Sequence, residues 1–320
     1  MTDCNLFLLL LRSALWGSRP CLDRVPSSQE WQAVYDLARR HTVQGMLYDV
    51  VKELPSGCGI SRQLAAEWML ETYGIERDYA RNSRMTEILR EFWRNNGVTA
   101  CLMKGTSVAE MYRVPEHRVS GDIDWSMPGE ANWRKALDLV RGKGYEIVRD
   151  SDGDCYYVVD GIVIEHHRGG YVEDGVVGVL LMLNEHILHH AIVTGVGMRH
   201  LCDMAMAYKF YAGKYDAAGY VAALRKYRLY KWTALLNATL ADVLDTPADI
   251  MPDAGLFASV PARDVRRLTR LVLRDGNFGF GKRWRFYGAL RRLVLFGRYA
   301  PYLLLKRWSG LASGRVLRQG

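Results

Sequence analysis

The chain has 320 residues, of which 49% are hydrophobic and 24% are charged, and its formal net charge is +8. This composition is typical of an ordinary globular protein, and the length leaves room for two hydrophobic cores. The six cysteines are scattered singly, without a CxxC pair, which argues against a zinc site and against the disulfide framework of a secreted protein. Unpaired cysteines fit a reducing compartment, so we expect a cytoplasmic protein.

The first hundred residues are predicted to be helical. The stretch SSQEWQAVYDLARRH opens with Ser27 and Glu30 at capping-box spacing and carries apolar residues at helical intervals. Residues 61–94 continue this pattern, and the sequence NNG that follows is a stop signal. A short apolar run near the N-terminus comes after an acid and before Arg12, which is the wrong order for a signal peptide.

The middle of the chain is predicted to form a small sheet. VTACLM is a strand candidate, and a short helix follows it as far as about Tyr112. Next come a strand within HRVSGDIDWSM, a helix from about Glu130 to Lys143, and three short strands with the sequences YEIVRD, CYYVVD and IVIEHH.

From about Val179 onward the chain is again predicted to be helical. Its longest apolar stretch, VVGVLLML, stops at Asn184 and is too short to span a membrane. The sequence therefore predicts an α+β fold in which helical regions flank a small mixed sheet on both sides. The predicted regions are an N-terminal helical region at 1–97, a sheet core at 98–178 and a C-terminal helical region at 179–320.

Two acids, Asp122 and Asp124, are separated by one residue in a predicted strand. Side chains at i and i+2 lie on the same face of a strand, and like charges at that distance raise each other's pKa. A hard cation such as Mg²⁺ would remove the repulsion. Glu165 ends an apolar strand that is expected to lie beside the first, so the three carboxylates together predict a two-metal phosphoryl-transfer site.

The segment LMKGTS, which precedes these acids, predicts a turn between a strand and a helix. A glycine followed by small hydroxyl residues, here Gly105, Thr106 and Ser107, leaves backbone N–H groups free to bind phosphate oxygens. Taken alone, such a glycine more often only permits a tight turn.

The run LMKGTSVAEMYRVPEHRVSGDIDWSM resembles the DNA polymerase β-type nucleotidyltransferase superfamily, and most of all its bacterial branch of uncharacterised nucleotidyltransferases. The resemblance extends to IEHH and GMRHLCDMAMAY and covers roughly residues 98–210. It implies that Asp122 and Asp124 are the metal-binding pair, that Glu165 is the third carboxylate, and that Gly105 and Thr106 form the phosphate turn. Thr106 stands where the best-known members have Ser, and 15 residues separate it from Asp122.

Several further side chains are accessory candidates. Lys104 could neutralise a phosphate or be a surface lysine at a strand end. Arg118 could likewise neutralise a phosphate or pair with Asp122. His167 lies two residues after Glu165, on the same strand face, and is a candidate metal ligand or proton relay.

Later histidines and charged residues have helical spacing. His186, His189 and His190 fall at i, i+3 and i+4, a spacing that could bind a metal, but no further ligand is evident and packing roles are expected. Arg199 and Asp203, at i and i+4, are most simply a helix salt bridge. The resemblance places their helix at the nucleotide cleft, which leaves a substrate-side role open.

The C-terminal part of the chain is strongly basic. From residue 262 onward there are 15 Lys and Arg against two acids, interleaved with aromatic residues. Such a tail can bind a polyanion such as RNA, or it can be a solvated pair of amphipathic helices that covers the core.

Together the motifs and the resemblance imply a Mg²⁺-dependent (or Mn²⁺-dependent) nucleotidyltransferase. It would move a nucleoside monophosphate from an NTP to an acceptor and release pyrophosphate, with Glu165 aiding removal of the acceptor proton. The acceptor is left open among RNA ends, protein side chains and small molecules. The alternative is a non-catalytic nucleotide-binding or interaction protein on the same fold, and a toxin–antitoxin component is a further setting for the same chemistry.

Overall fold

The computed structural model describes residues 3–149, 154–169, 175–193, 195–276 and 285–302. It divides into a helical unit, formed by residues 1–72 and 175–320, and a sheet unit, formed by residues 73–174. The helices in chain order are α1 (Asp3–Trp16), α2 (Ser28–Arg40), α3 (Gln44–Val51), α4 (Arg62–Asn95), α5 (Thr106–Ala109), α6 (Glu130–Gly142), α7 (Gly175–Ile192), α8 (Met198–Tyr211), α9 (Ala217–Lys226), α10 (Tyr230–Leu244), α11 (Ala254–Ala258), α12 (Ala262–Asp275) and α13 (Arg285–Tyr299). The strands are β1 (Cys101–Leu102), β2 (Ile123–Met127), β3 (Val148–Arg149), β4 (Cys155–Val159) and β5 (Ile162–Arg168).

Helix α2 of the helical unit begins as the sequence predicts. The Ser27 side chain accepts the N–H of Glu30, and the Glu30 carboxylate accepts the N–H of Ser27 (2.8 Å), so the capping box is formed. Four buried side chains at i, i+3, i+4 and i+7 make the apolar face of this helix, namely Trp31, Val34, Tyr35 and Ala38. This face packs in a group with α1 and α3.

Helix α7 belongs to the helical unit and packs against α8 and α9. By length and composition alone it could cross a membrane, but half of its residues are buried inside the unit, as in any core helix. Asn184, which interrupts the apolar stretch, is buried as well: its amide donates to the Thr233 hydroxyl of α10 (3.1 Å), and its backbone carbonyl accepts the Trp232 indole N–H (3.3 Å). Hydrogen bonds of this kind at a buried position fit packing against protein.

The sheet unit contains a five-stranded mixed sheet in the order β1-β2-β5-β4-β3. Strands β2 and β5 are parallel, and the other neighbouring pairs are antiparallel. Helix α6 covers one face with the side chains Trp133, Ala136, Leu137 and Val140, again at i, i+3, i+4 and i+7. The predicted α+β fold with a small mixed sheet between helical regions is therefore confirmed, although β1 and β3 have only two residues each.

The boundaries of the units differ from those of the predicted regions because α4 serves both units. This helix has 34 residues. In its first half Trp68 is buried and donates to the Gln44 carbonyl of the helical unit (2.8 Å). In its second half Met85, Leu89 and Trp93 belong to the core of the sheet unit. The helices before residue 73 and after residue 174 form one unit.

Candidate active site

The centre of the sheet brings acidic residues from β2 and β5 side by side. In the parallel register Asp124 pairs with Glu165, and Ser126 pairs with His167. Paired positions of neighbouring strands point to the same face, and so do positions i and i+2 of one strand. Asp124, Glu165 and His167 therefore lie on one face, and ligand atoms of all three lie within 4.8 Å of one another.

Asp124 is completely buried. Its Oδ1 lies 2.9 Å from Lys104 Nζ and 2.9 Å from His167 Nε2. Its Oδ2 has no hydrogen-bond partner among the residues that the structure describes. Burial raises the pKa of Asp124, but the charges and hydrogen bonds of Lys104 and His167 outweigh it and lower this pKa to about 2. The side chain is thus an ionised carboxylate at neutral pH.

His167 bridges three carboxylates. Its Nδ1 contacts Asp154 Oδ2 (2.8 Å), and its Nε2 contacts Asp124 Oδ1 (2.9 Å) and Glu165 Oε2 (3.5 Å). Burial lowers the pKa of His167, but the hydrogen bonds to these carboxylates raise it to about 11. His167 is therefore an imidazolium that donates from both ring nitrogens.

Glu165 and Lys104 complete the charge balance. The hydrogen bond from His167 lowers the pKa of Glu165, but burial and the charges of Asp124 and Asp122 raise it above the usual value overall. Burial lowers the pKa of Lys104, but the charges of the same two aspartates outweigh burial and raise this pKa overall. The ammonium therefore stays charged. A raised pKa makes Glu165 a better proton acceptor than an ordinary carboxylate.

Asp122 is placed differently from the prediction. Strand β2 begins at Ile123, so Asp122 lies before the strand and does not share its alternation. In the described part of the chain it is not one of the three side chains whose ligand atoms cluster within 4.8 Å. Its charge nevertheless reaches the site, since it raises the pKa values of Lys104 and Glu165. The side chains whose ligand atoms cluster in the described structure are thus Asp124, Glu165 and His167, and a metal-binding role for Asp122 stays a prediction.

The predicted phosphate turn lies at the start of α5. Gly105 has φ 83° and ψ −117°, a backbone conformation that side chains disfavour, and a Cβ there would lie 3.3 Å from the Asp122 carbonyl. Thr106 and Ser107 are the first residues of α5. Arg118 is buried and donates to the Gly105 carbonyl (3.3 Å), so it supports the turn from within.

The sequence pattern does not single out Asp154 as a site residue. Burial raises its pKa, but the hydrogen bonds from His167 and from the Arg168 N–H (3.1 Å to Oδ1) lower it overall, so it is ionised and its position is held from two sides. In the sequence it stands in DGDC, a typical Asp/Gly turn, and only the pairing of β4 with β5 shows that it reaches His167.

Arg199 and Asp203 lie one turn apart on α8 of the helical unit.

The residues present fit a divalent cation. Asp124 and Glu165 have ligand atoms within 4.8 Å of each other, and the buried Asp124 Oδ2 has no partner among the described residues. Carboxylate oxygens suit Mg²⁺ and Mn²⁺, and an unpaired buried carboxylate oxygen is costly without such a partner.

Residues 27–174 match the model of a family described as uncharacterised nucleotidyltransferase. The match includes the whole described part of the sheet unit and therefore all of the side chains around Asp124. Neither curated proteins nor solved structures gave a match.

Proposed function

We propose that this chain is a divalent-cation-dependent nucleotidyltransferase whose reaction centre is formed by Asp124, Glu165 and His167. The observation that carries the proposal is the buried Asp124 beside Glu165 on two parallel strands, with one carboxylate oxygen that has no described partner. These strands lie within the residues that are similar to the nucleotidyltransferase family.

In the proposed reaction an acceptor oxygen forms a bond to the α-phosphorus of an NTP. The bond from that phosphorus to the bridging oxygen of the β-phosphate breaks, pyrophosphate leaves with the electron pair, and the acceptor hydroxyl loses its proton. The cation is Mg²⁺, or Mn²⁺ as the alternative. It would be held by Asp124 and Glu165, with Asp122 close by, and when bound it supplies positive charge that polarises the phosphate and favours ionisation of the acceptor hydroxyl.

The chain's own groups have separate tasks in this reaction. Glu165 accepts the acceptor proton, which its raised pKa favours. Lys104 offers an ammonium for the triphosphate beside the turn at Gly105. His167 holds a proton on each nitrogen and keeps Asp124 ionised.

A second candidate function has one observation in its favour. Lys104 and His167 already contact Asp124 at 2.9 Å, so the charge of this carboxylate is compensated without a cation. A non-catalytic nucleotide-binding protein that keeps the fold would show the same arrangement. Retention of the carboxylates therefore does not by itself require catalysis.

Transfer of label from each α-³²P-labelled NTP tests the proposal. The full chain is incubated with Mg²⁺ or Mn²⁺ and with the RNA, protein and small-molecule fractions of a cell lysate. We expect one fraction to take up label with wild type, and Asp124→Asn to reduce transfer by at least about a hundredfold because the buried carboxylate charge is removed. The acceptor class is named by the fraction that is labelled.

The matched control is Asp138→Asn, which removes an exposed carboxylate on α6 that pairs with Arg141 (2.9 Å) and should leave transfer unchanged. NTP binding by calorimetry without transfer to any fraction would instead support the non-catalytic candidate. We also propose that the protein acts in the cytoplasm, with which six cysteines that form no disulfide in the described structure agree.

A further inference from the structure

Three histidines of the helical unit form a second cluster, which the nucleotidyltransferase proposal does not use. His186 and His190 lie one turn apart on α7, and His200 lies in the first turn of α8. Their ring centroids are 4.3 Å (His186–His190), 4.7 Å (His190–His200) and 5.7 Å (His186–His200) apart. One nitrogen of each ring lies within 4.8 Å of the others.

The composition of this cluster favours one class of ion. Imidazole nitrogens bind Zn²⁺ and similar transition ions, whereas Mg²⁺ requires oxygen ligands. Two histidines at i and i+4 on one helix with a third from a neighbouring element is an arrangement that zinc sites use, and three protein ligands leave one position open. We propose that His186, His190 and His200 form a Zn²⁺ site that joins α7 to α8.

The surroundings of the three rings allow an ion to enter. His200 is 4% exposed, while His186 and His190 are half-buried, so the cluster has a buried base and a side that solvent reaches. Nδ1 of His200 accepts the Gly197 N–H at 3.3 Å, which is long for a hydrogen bond. Nitrogens that bind one tetrahedral zinc at about 2.0–2.1 Å lie about 3.3 Å apart, so side-chain rotations must draw the three nitrogens, now within 4.8 Å, closer together.

The site has a structural consequence. Helices α7 and α8 pack against each other and follow one another in the chain. An ion that binds the folded helical unit and not the unfolded chain stabilises the fold by mass action. Zn²⁺ is therefore expected to raise the melting temperature of the full chain.

His189 provides a matched control. It lies on the same helix, next to His190, but its ligand atoms do not belong to the described three-histidine group. His189→Ala should keep zinc binding, and His190→Ala should abolish it or weaken it strongly. Asp124→Asn distinguishes the histidine site from the sheet site, because zinc that is held by the carboxylates of the sheet would fail to bind in that variant only.

The experiment is calorimetric titration of Zn²⁺ into the full, metal-free chain, with thermal melts of each protein in zinc and in EDTA. We expect the histidine site to bind one zinc with similar affinity in wild type, His189→Ala and Asp124→Asn. His190→Ala should bind this zinc at least about tenfold more weakly and show a smaller rise in melting temperature than wild type. His186→Gln, a change at a half-buried position, repeats the test should His190→Ala fail to fold in EDTA. Equal zinc affinity in wild type and both histidine variants, or absence of binding in Asp124→Asn alone, would overturn the proposal.

Discussion

At the scale of single residues, the buried charge of Asp124 determines how its neighbours behave. Lys104 and His167 each lie 2.9 Å from the same oxygen, and both carry positive charge. Removing one partner of a buried ion pair leaves the other uncompensated and typically costs about 3–5 kcal/mol. Substitutions of Lys104 or His167 therefore change stability and function together. Substitution of a residue that only orients His167 allows the effect on function to be measured separately from the effect on stability.

Asp154 is such a positioning residue, because it holds the His167 ring in place. Asp154→Ala should let the His167 ring turn away, so that the Asp124 carboxylate loses a hydrogen bond that orients it. Loss of such support for a ligating carboxylate commonly costs about 10–100-fold, so both divalent-cation binding and transfer should weaken by that much. Asp154→Asn keeps an oxygen that can accept the Nδ1–H, so most of the function should return. Cation affinity by calorimetry and kcat and KM for transfer measure the effect.

Thermal melts provide the control for that comparison. A structural role for Asp154 would lower the melting temperature of both variants without separating them in cation affinity. Cation affinity at the wild-type value in Asp154→Ala would contradict the positioning role.

At the scale of elements, strand β5 carries opposite environments on its two faces. His166 points into the core, where its ring lies 5.3 Å from Trp93, 6.3 Å from Trp133 and 5.1 Å from Tyr157, measured between centroids. Glu165 and His167 point to the site. A slip of one residue in the pairing with β2 would exchange these faces, so the aromatic contacts of His166 hold the register that the site needs.

His166 should make the stability of the sheet unit depend on pH. Burial lowers its pKa to about 3, and neither ring nitrogen has a hydrogen-bond partner among the described residues. The folded state therefore keeps the imidazole neutral while the unfolded chain protonates it near its usual pKa of about 6.5. Stability should fall as the pH drops from about 6.5 towards 3, by a few kcal/mol in all, because the unfolded state binds the extra proton.

His166→Leu, a substitution of similar volume, tests this dependence. We expect it to be neutral or stabilising at pH 7.5 and to remove part of the fall in stability between about pH 6.5 and 5, since no unpaired nitrogen remains in the core. Urea unfolding at both ends of this pH range measures the free energies. An unchanged pH dependence together with lower stability at pH 7.5 would show that the imidazole has a polar role in the core.

At the scale of the whole molecule, the arginines of the C-terminal part fall into two groups, those that make contacts inside the fold and those that are exposed. Arg298 of α13 lies 3.1 Å from the buried Asp264 of α12, which also accepts the Tyr299 hydroxyl (3.0 Å), so these contacts hold the two helices together. Arg267 lies 3.1 Å from the same carboxylate within α12. Arg292 is only 6% exposed. Arg283 and the side chains of Arg285 and Arg291 lie outside the described residues. Arg266 and Arg270 are exposed arginines of α12 that, unlike Arg263 and Arg267, do not pair with Asp264, which leaves them well placed to meet a polyanion.

RNA binding by the full chain tests the polyanion proposal. If the C-terminal part binds RNA, affinity should fall steeply with salt. Arg266→Gln with Arg270→Gln should then weaken binding and reduce the log–log slope by about 0.7 for each single-strand phosphate that the variant no longer neutralises. The control is Arg267→Gln, whose partner is Asp264, and which should lower stability more than RNA affinity. Fluorescence anisotropy at low and high salt gives the slopes, and salt-insensitive binding would reject an RNA acceptor held by this surface.

The sequence by itself determined what depends on neighbours along the chain. The capping box at Ser27, the apolar faces of α2 and α6, and the alternation that directs Glu165 and His167 to one side of β5 are local patterns, so periodicity and caps are enough to predict them. The α+β class followed from the order of these patterns. Asp122 shows the limit of this reasoning, because alternation applies only within a strand and β2 begins one residue later.

The tertiary structure alone decided which distant residues meet. Asp124 and His167 are 43 residues apart in the chain, and Asp154 reaches His167 only because β4 lies next to β5. His200 joins His186 and His190 through the packing of two helices, while the adjacent His189 stays outside the described group. Strand order and helix packing depend on the free energy of burying whole apolar faces, added up over the entire core. A local pattern of residues does not contain this information.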